Sequence, residues 1–445
     1  MDSELFTDQT ALGSTGDDVE SIMQEQAKAI VLNVGTPNGL GVIRSLGREG
    51  VPILAVDHHK NAPGLHSRYA SPQVLPEPAA HPEEVFKRLM SIGSGFGEKG
   101  VLFPCSDAYV LFVSRYRKEL AEHFDFCIPS EAVLEGMVNK RRQYEEASRI
   151  GTPISKTFYP QDMKQVREIR DLLDYPAFIK PYYSHLWYEV FGNKGFKVRS
   201  PRELEERYAV IFSTGLEALV QSIIQGPNTN HIKVCAYYDR QGVRRGLFLT
   251  RKMRQNPTEF GVGSIMESFH DDRLAAIGIK FLEGINYRGV GSIELKLDDR
   301  DGKYKMIELN PRLWAQNSQP TYAGINFPKM QYDDLTGRPM EETDYRDGVR
   351  WIDTLEDFRA FWWYRQRGMA TFGDLARAWL KNDCHAYFAW DDPVPSFVHS
   401  KGGVEPMNML AELLRTPAVD EGPEKAGHKP LERTTGHGLK EPENR

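Results

Sequence analysis

The stretch GSIELKLDDRDGKYKMIELNPRLW, residues 291–314, allows few folds. Ile293, Leu295 and Leu297 alternate with Ser292, Glu294 and Lys296, the period of two expected of a half-buried strand. Ile307 and Leu309 alternate with Glu308 and Asn310 in the same way. Residues 298–302 between them are rich in turn formers, so the two runs make an antiparallel hairpin. A turn centred on Asp301 sets Leu295 against Ile307, Ile293 against Leu309 and Glu294 against Glu308. Directly opposed side chains stand roughly 5 Å apart, where like charges repel. The apolar register therefore forces two carboxylates together on the other face, and something positive has to relieve them.

The rest of the chain sets the scale. Its 445 residues are enough for two or three domains, and 40% hydrophobic with 27% charged residues is ordinary for a globular protein. A net charge of -6 gives no electrostatic basis for binding nucleic acid or an anionic membrane. No run approaches the roughly 20 apolar residues of a membrane span. Cys105, Cys127, Cys235 and Cys384 are far apart and lack metal spacing, which suits thiols in a reducing compartment. The first twenty residues are acidic and lack an apolar signal core, so a cytoplasmic protein is expected.

Along the chain, residues 1–26 read as a flexible N-terminus. AIVLNVG, the glycine-rich TPNGLGVIRSLGREG and VPILAVD form a βαβ opening, and GVLFPCSDAYVLFVSRY adds a strand, a loop at Ser106 and Asp107, and a helix. Residues 27–130 are thus expected to be a small doubly wound α/β domain. SEAVLEGMVNKRRQYEEASRIG reads as one helix, YPAFIKP as a short strand, and residues 201–208 as a helix. ALVQSIIQG and HIKVCAYYDRQGVRRGLFLTRKMRQ read as strands, the second a hairpin around residues 239–242, and DRLAAIGIKFLEGI as a helix. Residues 341–415 carry the aromatic helix LEDFRAFWWYRQRG, whose Trp362, Trp363 and Tyr364 read as packing, and a short helical segment. From Thr416 the chain is rich in Pro, Gly and charge, a disordered tail. No internal repeat is present.

Several residues could carry chemistry. Glu294, Glu308 and Asn310 offer oxygen donors from one face, the ligand type Mg²⁺ takes alongside phosphates. Pro311 ends the strand and Arg312 follows, able to grip a phosphoryl oxygen. The bland alternative is a solvated hairpin in which Lys296 and Arg312 neutralise the acids. Lys180 closes the apolar run of its strand and can point a compact charge at a phosphate, or simply reach to solvent. Lys140, beside Arg141 and Arg142, is by itself an ordinary helical charge. In a strand, Arg251 would face one side and Lys252 and Arg254 the other, a clamp for phosphate and a carboxylate or else an exposed basic strand. Gly35, Gly39 and Gly41 do not fit G-x-G-x-x-G, although Asp57 ends the second strand where a dinucleotide fold places its ribose carboxylate. His58 and His59 are adjacent and receive no role.

In this order, the pieces resemble the ATP-grasp superfamily over roughly residues 28–340. IELKLDD…YKMIELNPR is similar to the E…E-x-N-P-R signature of that family. NKRRQYEEASRIGTPISKT resembles the helix carrying the first nucleotide lysine, here Lys140, and YPAFIKP the second-lysine strand, here Lys180. LVQSIIQG resembles the hinge that holds adenine and ribose, with Gln221, Ser222 and Ile224 as the contacts implied. Two departures stand out: YYSHLWYEVFGNKG after Lys180 lacks the usual glycine-rich phosphate cover, and Gln221 and Ser222 stand where a glutamate is common. RKMRQNPTEFGVG, NPRLWAQNSQPTYAGINFP and the WDDPVP segment look like the carboxylate–amine ligase branch that includes D-aspartate ligase-type and mycosporine-glycine synthase-type enzymes.

The resemblance implies an α/β and α+β architecture. A pre-ATP-grasp doubly wound domain is followed by a two-part ATP-grasp fold over residues 131–340, with a mobile lid at about 152–221, and by a short helical C-terminal extension. It implies an ATP-dependent ligase joining an acid or enol to an amine, an amino acid in particular, through a phosphorylated intermediate. ATP and Mg²⁺, or Mn²⁺ in its place, would be the cofactors, with the metal ions on Glu294, Glu308 and Asn310. Arg312, Arg251, Lys252 and Arg254 would hold the transferred phosphate and the substrate carboxylate. The partners implied are small-molecule acid or enol and amine substrates, with no nucleic acid, no membrane insertion and room for a homo-oligomer. A nicotinamide oxidoreductase and a non-catalytic ATP-binding regulator remain as alternatives.

Overall fold

The N-terminal apolar runs become parallel strands. In the computed structural model, which describes residues 27–340 and 343–403, β1 (Ala29–Leu32) pairs in parallel with β2 (Ile53–Asp57) and β4 (Gly100–Pro104). With β3 (Ser71–Val74) and β5 (Phe124–Asp125) the order is β3-β2-β1-β4-β5. The order reverses between β1 and β4, so their carboxyl ends open a crevice. Helix α1 (Pro37–Gly47) and helix α2 (Asp107–Arg115) start on its two sides. The expected N-terminal and C-terminal flexible segments lie outside the described residues.

The helix read over residues 130–151 is two, α3 (Glu131–Val138) and α4 (Lys140–Ile150). Asn139 breaks it: its backbone is extended and its side-chain oxygen accepts from the N–H groups of Arg141 and Arg142. A four-stranded sheet follows, ordered β6-β9-β7-β8 from β6 (Thr157–Phe158), β7 (Ala177–Pro181), β8 (Phe196–Val198) and β9 (Ala218–Ser222). Its core packs Ile179, Val198 and Val220 against Leu204, Tyr208 and Ile211 of α6 (Pro201–Ser213). The segment after Lys180, read as a loop, contains the helix α5 (Ser184–Phe191), which drives Trp187 fully into that core.

The large sheet has seven strands in the order β14-β13-β10-β11-β12-β15-β16. They are β10 (His231–Tyr238), β11 (Arg244–Asn256), β12 (Val262–Ser268), β13 (Gly289–Asp298), β14 (Lys303–Asn310), β15 (Arg350–Ile352) and β16 (Cys384–His385). Ile232, Val234, Ile293, Leu295 and Leu309 pack with Ala275, Phe281 and Leu282 of α7 (Asp272–Gly284). The acidic hairpin pairs Ile293 with Leu309 and Glu294 with Glu308, as its alternation requires. Leu295, however, faces Met306 and not Ile307, because a bulge leaves Ile307 as the extra residue. The C-terminal extension is not purely helical. Beside α8 (Thr354–Gln366) and α9 (Phe372–Leu380) it supplies β15 and β16, too short to show an alternation in the sequence. All four cysteines are buried and unpaired, and no helix of the described residues is long and apolar enough to cross a membrane.

The WDDPVP segment closes the chain back onto the first domain. The buried Arg44 of α1 donates to Asp392 Oδ2 at 3.0 Å and to the carbonyls of Tyr387 and Asp392 at 2.7 Å each. Ser67 and the backbone of Arg68 donate to the same carboxylate. Removing one member of a buried pair leaves the other charge uncompensated, at about 3–5 kcal/mol. Asp392→Ala should lose that much stability in urea unfolding. A loss below about 1 kcal/mol would mean that the pair carries no more than an exposed one.

Candidate active site

Strand β10 answers the carboxylate clash. In HIKVCAYY the polar side chains of His231 and Lys233 alternate with Ile232 and Val234, so they share the face of Glu294. Lys233 Nζ lies 2.9 Å from Glu294 Oε1, and His231 Nε2 lies 2.7 Å from Oε2 without an aligned hydrogen bond. Asn310 Nδ2 donates to Oε1 at 3.5 Å. Burial alone would raise the Glu294 carboxyl, but Lys233, His231 and Lys252 outweigh it and hold it well below the usual carboxylate range. Burial, with Lys252 beside it, pushes His231 down to about 4, so the imidazole is neutral at pH 7.

Glu308 has a different cation. Lys140, the first residue of α4, brings Nζ to 3.3 Å from Glu308 Oε2, and the Glu308 side chain stays 36% exposed. The two cations of the solvated-hairpin reading are elsewhere. Lys296 donates to the carbonyl of Ile224 at 3.0 Å, and Arg312 reaches Asp107 at 2.7 Å, at the mouth of the β1/β4 crevice.

Lys180 enters from the four-stranded sheet. Its ammonium donates to Tyr144 Oη and to Gln221 Oε1, each at 2.9 Å. Tyr144 donates onward to the carbonyl of Ile307 at 2.5 Å, and Gln221 donates to Thr157. Burial pushes the Lys180 ammonium down to about 8, with Glu308 acting against it. Ser222, one residue on, necessarily points to the opposite side of β9. Its hydroxyl accepts from Asp174 N–H, its N–H donates to the carbonyl of Lys156 and its carbonyl accepts from Ser155, so all three groups are engaged on the side away from Lys180. Ile224 offers the cleft a carbonyl already shared with Lys296.

The basic cluster does not stay together. Arg251 pairs with Glu267, its register partner on β12. Lys252 is buried on the polar face, donating to Gln255 Oε1 at 2.9 Å and to the carbonyl of Gly261 at 3.1 Å, and burial pushes it down to about 8. The register of β11 slips between Lys252 and Arg254, and Arg254 binds Asp357 of α8 at 2.8 Å, where Ser264 and Trp379 also donate. Of the three, only Lys252 remains at the site. Sequence reading missed His231, Lys233, Tyr144 and Thr157. The polar alternation within β10 was a usable signal for the first two; Tyr144 and Thr157 gave none.

Asp57 is not a free ribose carboxylate. Its Oδ2 accepts from Gly35 N–H at 2.7 Å and its Oδ1 from His59 N–H at 2.9 Å. The opposed acids are the better place for a cation. Among the described residues no three His, Cys, Asp or Glu side chains converge as a metal cage. Glu308 and Asn310 therefore fit an ion such as Mg²⁺ that takes one or two protein oxygens and completes its shell with phosphate and water.

No family model matches the chain. It is 26% identical over 343 residues to a D-aspartate ligase of Enterococcus faecium, spanning 74% of this chain and 81% of that protein. In structure it resembles the N5-carboxyaminoimidazole synthetase of Staphylococcus aureus complexed with ADP, with a TM-score of 0.56 at 13% identity over 72% of this chain and 80% of the other. It also resembles the biotin carboxylase domain of the Hydrogenobacter thermophilus 2-oxoglutarate carboxylase complexed with MgADP, with a TM-score of 0.56 at 18% identity over 73% of each. These likenesses show the fold: a doubly wound domain leading into an ATP-grasp fold.

The depressed Lys180 has a measurable consequence. Folded at about 8 against an ordinary 10.5, it binds fewer protons in the native state than in the unfolded chain between those values. It costs stability at low pH, and that cost is relieved as pH rises from about 8 upward. Relative to Lys180→Met, the wild type should gain melting temperature between about pH 7 and about pH 9.5. A pH-independent difference would mean an unshifted lysine.

Proposed function

We propose that this ATP-grasp protein is an ATP-dependent ligase joining an acid, or an enol, to an amine, with an amino acid as the amine. The observation that carries the reading is the convergence of Lys140 and Lys180 on the Glu294/Glu308 hairpin. Lys140 lies 3.3 Å from Glu308, and Lys180 is tied through Tyr144 to the backbone of the same strand. In this reading the two lysines would offset the charge of a triphosphate, and the hairpin oxygens would hold its cation. The likeness to a D-aspartate ligase over most of both chains supports the same reaction class.

In this reading a carboxylate oxygen attacks the γ-phosphorus of ATP and ADP leaves. The amine nitrogen then attacks the acyl carbon, phosphate leaves and the nitrogen loses a proton. Mg²⁺, held by Glu308 and Asn310, would supply charge neutralisation to the triphosphate. The chain's own residues position and stabilise charge. Lys140, Lys180 and Lys252 offset the phosphates, and Arg312 faces the crevice at β1 and β4, the expected seat of a small substrate. The four-stranded sheet over residues 157–222 would serve as the lid that shields the acyl phosphate from water. The Asp57 contacts argue against the nicotinamide alternative.

Phosphate release in a screen of acids crossed with amines should require ATP, Mg²⁺ or Mn²⁺, one acid and one amine together. ATP binding with no acceptor-dependent release in any pair would favour the non-catalytic regulator.

Glu308→Gln separates the site from the scaffold. Its pair with Lys140 is partly exposed, so free-protein stability should change by at most about 1 kcal/mol. Turnover should be lost, because the cation loses its charged ligand. A variant that keeps full turnover would remove Glu308 from the reaction.

A further inference from the structure

The two opposed glutamates are not equivalent. Glu308 is 36% exposed and meets Lys140 at 3.3 Å, a contact loose enough to admit another cation. Glu294 is only 13% exposed and both of its oxygens are covered, Oε1 by Lys233 at 2.9 Å and Oε2 by His231 at 2.7 Å. Lys233 cannot withdraw. It lies between Thr250 and Glu294 in register, and its ammonium also donates to Gln316 Oε1 at 3.3 Å. Gln316 is itself held by Gly263, its amide donating to that carbonyl at 3.1 Å. A divalent ion on Glu294 would have to sit within a few ångströms of this anchored ammonium, and like charges that close repel strongly.

We infer that Lys233 is a built-in cation that takes Glu294 out of the metal site, leaving one divalent ion, held by Glu308 and Asn310. The inference rests on the nucleotide-binding reading and departs from the family resemblance, which put all three oxygen donors on metal. Its chemical consequence is that a fixed monovalent charge on β10 stands where a second divalent ion would otherwise offset the phosphates. Lys233 acts as a positioning residue, holding the Glu294 carboxylate away from metal.

The test counts metal directly. The 445-residue chain, saturated with a non-hydrolysable ATP analogue and Mn²⁺, is freed of unbound ions, and bound Mn²⁺ and nucleotide are measured in the same sample. One Mn²⁺ per nucleotide is expected in the wild type and two in Lys233→Met, where Glu294 becomes available. Two in the wild type, or one in both, would overturn the inference. A wild type that holds no nucleotide would fail the nucleotide reading, and the one-metal claim with it. The ion pair has its own check in the free protein. Lys233→Met and Glu294→Gln should each lower the melting temperature, and the double variant should melt above the less stable single one, because each single change strands a buried charge. Simply additive losses would show that the two side chains do not depend on each other, and the inference would fall.

Discussion

Two carboxylates opposed across one strand pair govern this structure. Glu294 and Glu308 are register partners on β13 and β14, and the apolar side of the hairpin leaves no freedom to separate them. Each is met by a cation from a different element: Lys233 from the neighbouring strand β10, Lys140 from the start of α4. The second of these depends on how the edge of the sheet is closed. β14 is the outermost strand, and an exposed edge offers unpaired backbone groups. Gln143 exchanges hydrogen bonds with the backbone of Leu309, Tyr144 donates to Ile307 and Met306 N–H donates to Pro153. Covering that edge docks α4, and docking α4 puts Lys140 beside Glu308.

The same docking links the two sheets. Tyr144 gives one hydroxyl to both, donating to Ile307 on β14 and accepting from Lys180 on β7. Lys180 and Lys252 are both pushed down to about 8 by burial, so the cleft keeps ammonium groups that gain from an anionic ligand. The bulge at Ile307 belongs to this arrangement, since the residue left without a partner on β13 is the one whose carbonyl receives Tyr144.

The C-terminal segment works from outside the cleft. Asp357 on α8 collects Arg254, Ser264 and Trp379, and Tyr364 accepts from Asn228 beyond β9. Asp392 returns to Arg44 on α1. Residues 357–392 thereby hold the outer strands of the large sheet and the first domain, which lie far apart in sequence.

Patterns of local period were legible from the sequence alone. The alternation in residues 291–314 specified the hairpin and the pairing of Glu294 with Glu308, because a strand's side chains change face at every residue. The apolar runs at β1, β2 and β4 specified the doubly wound start for the same reason. The motif order around Lys140, Lys180 and the hairpin led to the ATP-grasp fold. Partnership was not legible. Arg254 and Lys252 look alike in RKMRQ, yet one binds Asp357 and the other lines the cleft, because a slip of register turned one of them aside. Gln221 and Ser222 look equally suited to a hinge, yet β9 can turn only one of them toward Lys180. The alternation in β10 marks Lys233 as one of a polar face, but nothing local pairs it with Glu294, sixty-one positions away. Backbone periodicity is a local property carried by neighbouring residues. Which charge meets which depends on burial and on strands brought together from distant parts of the chain, and only the tertiary structure decides that.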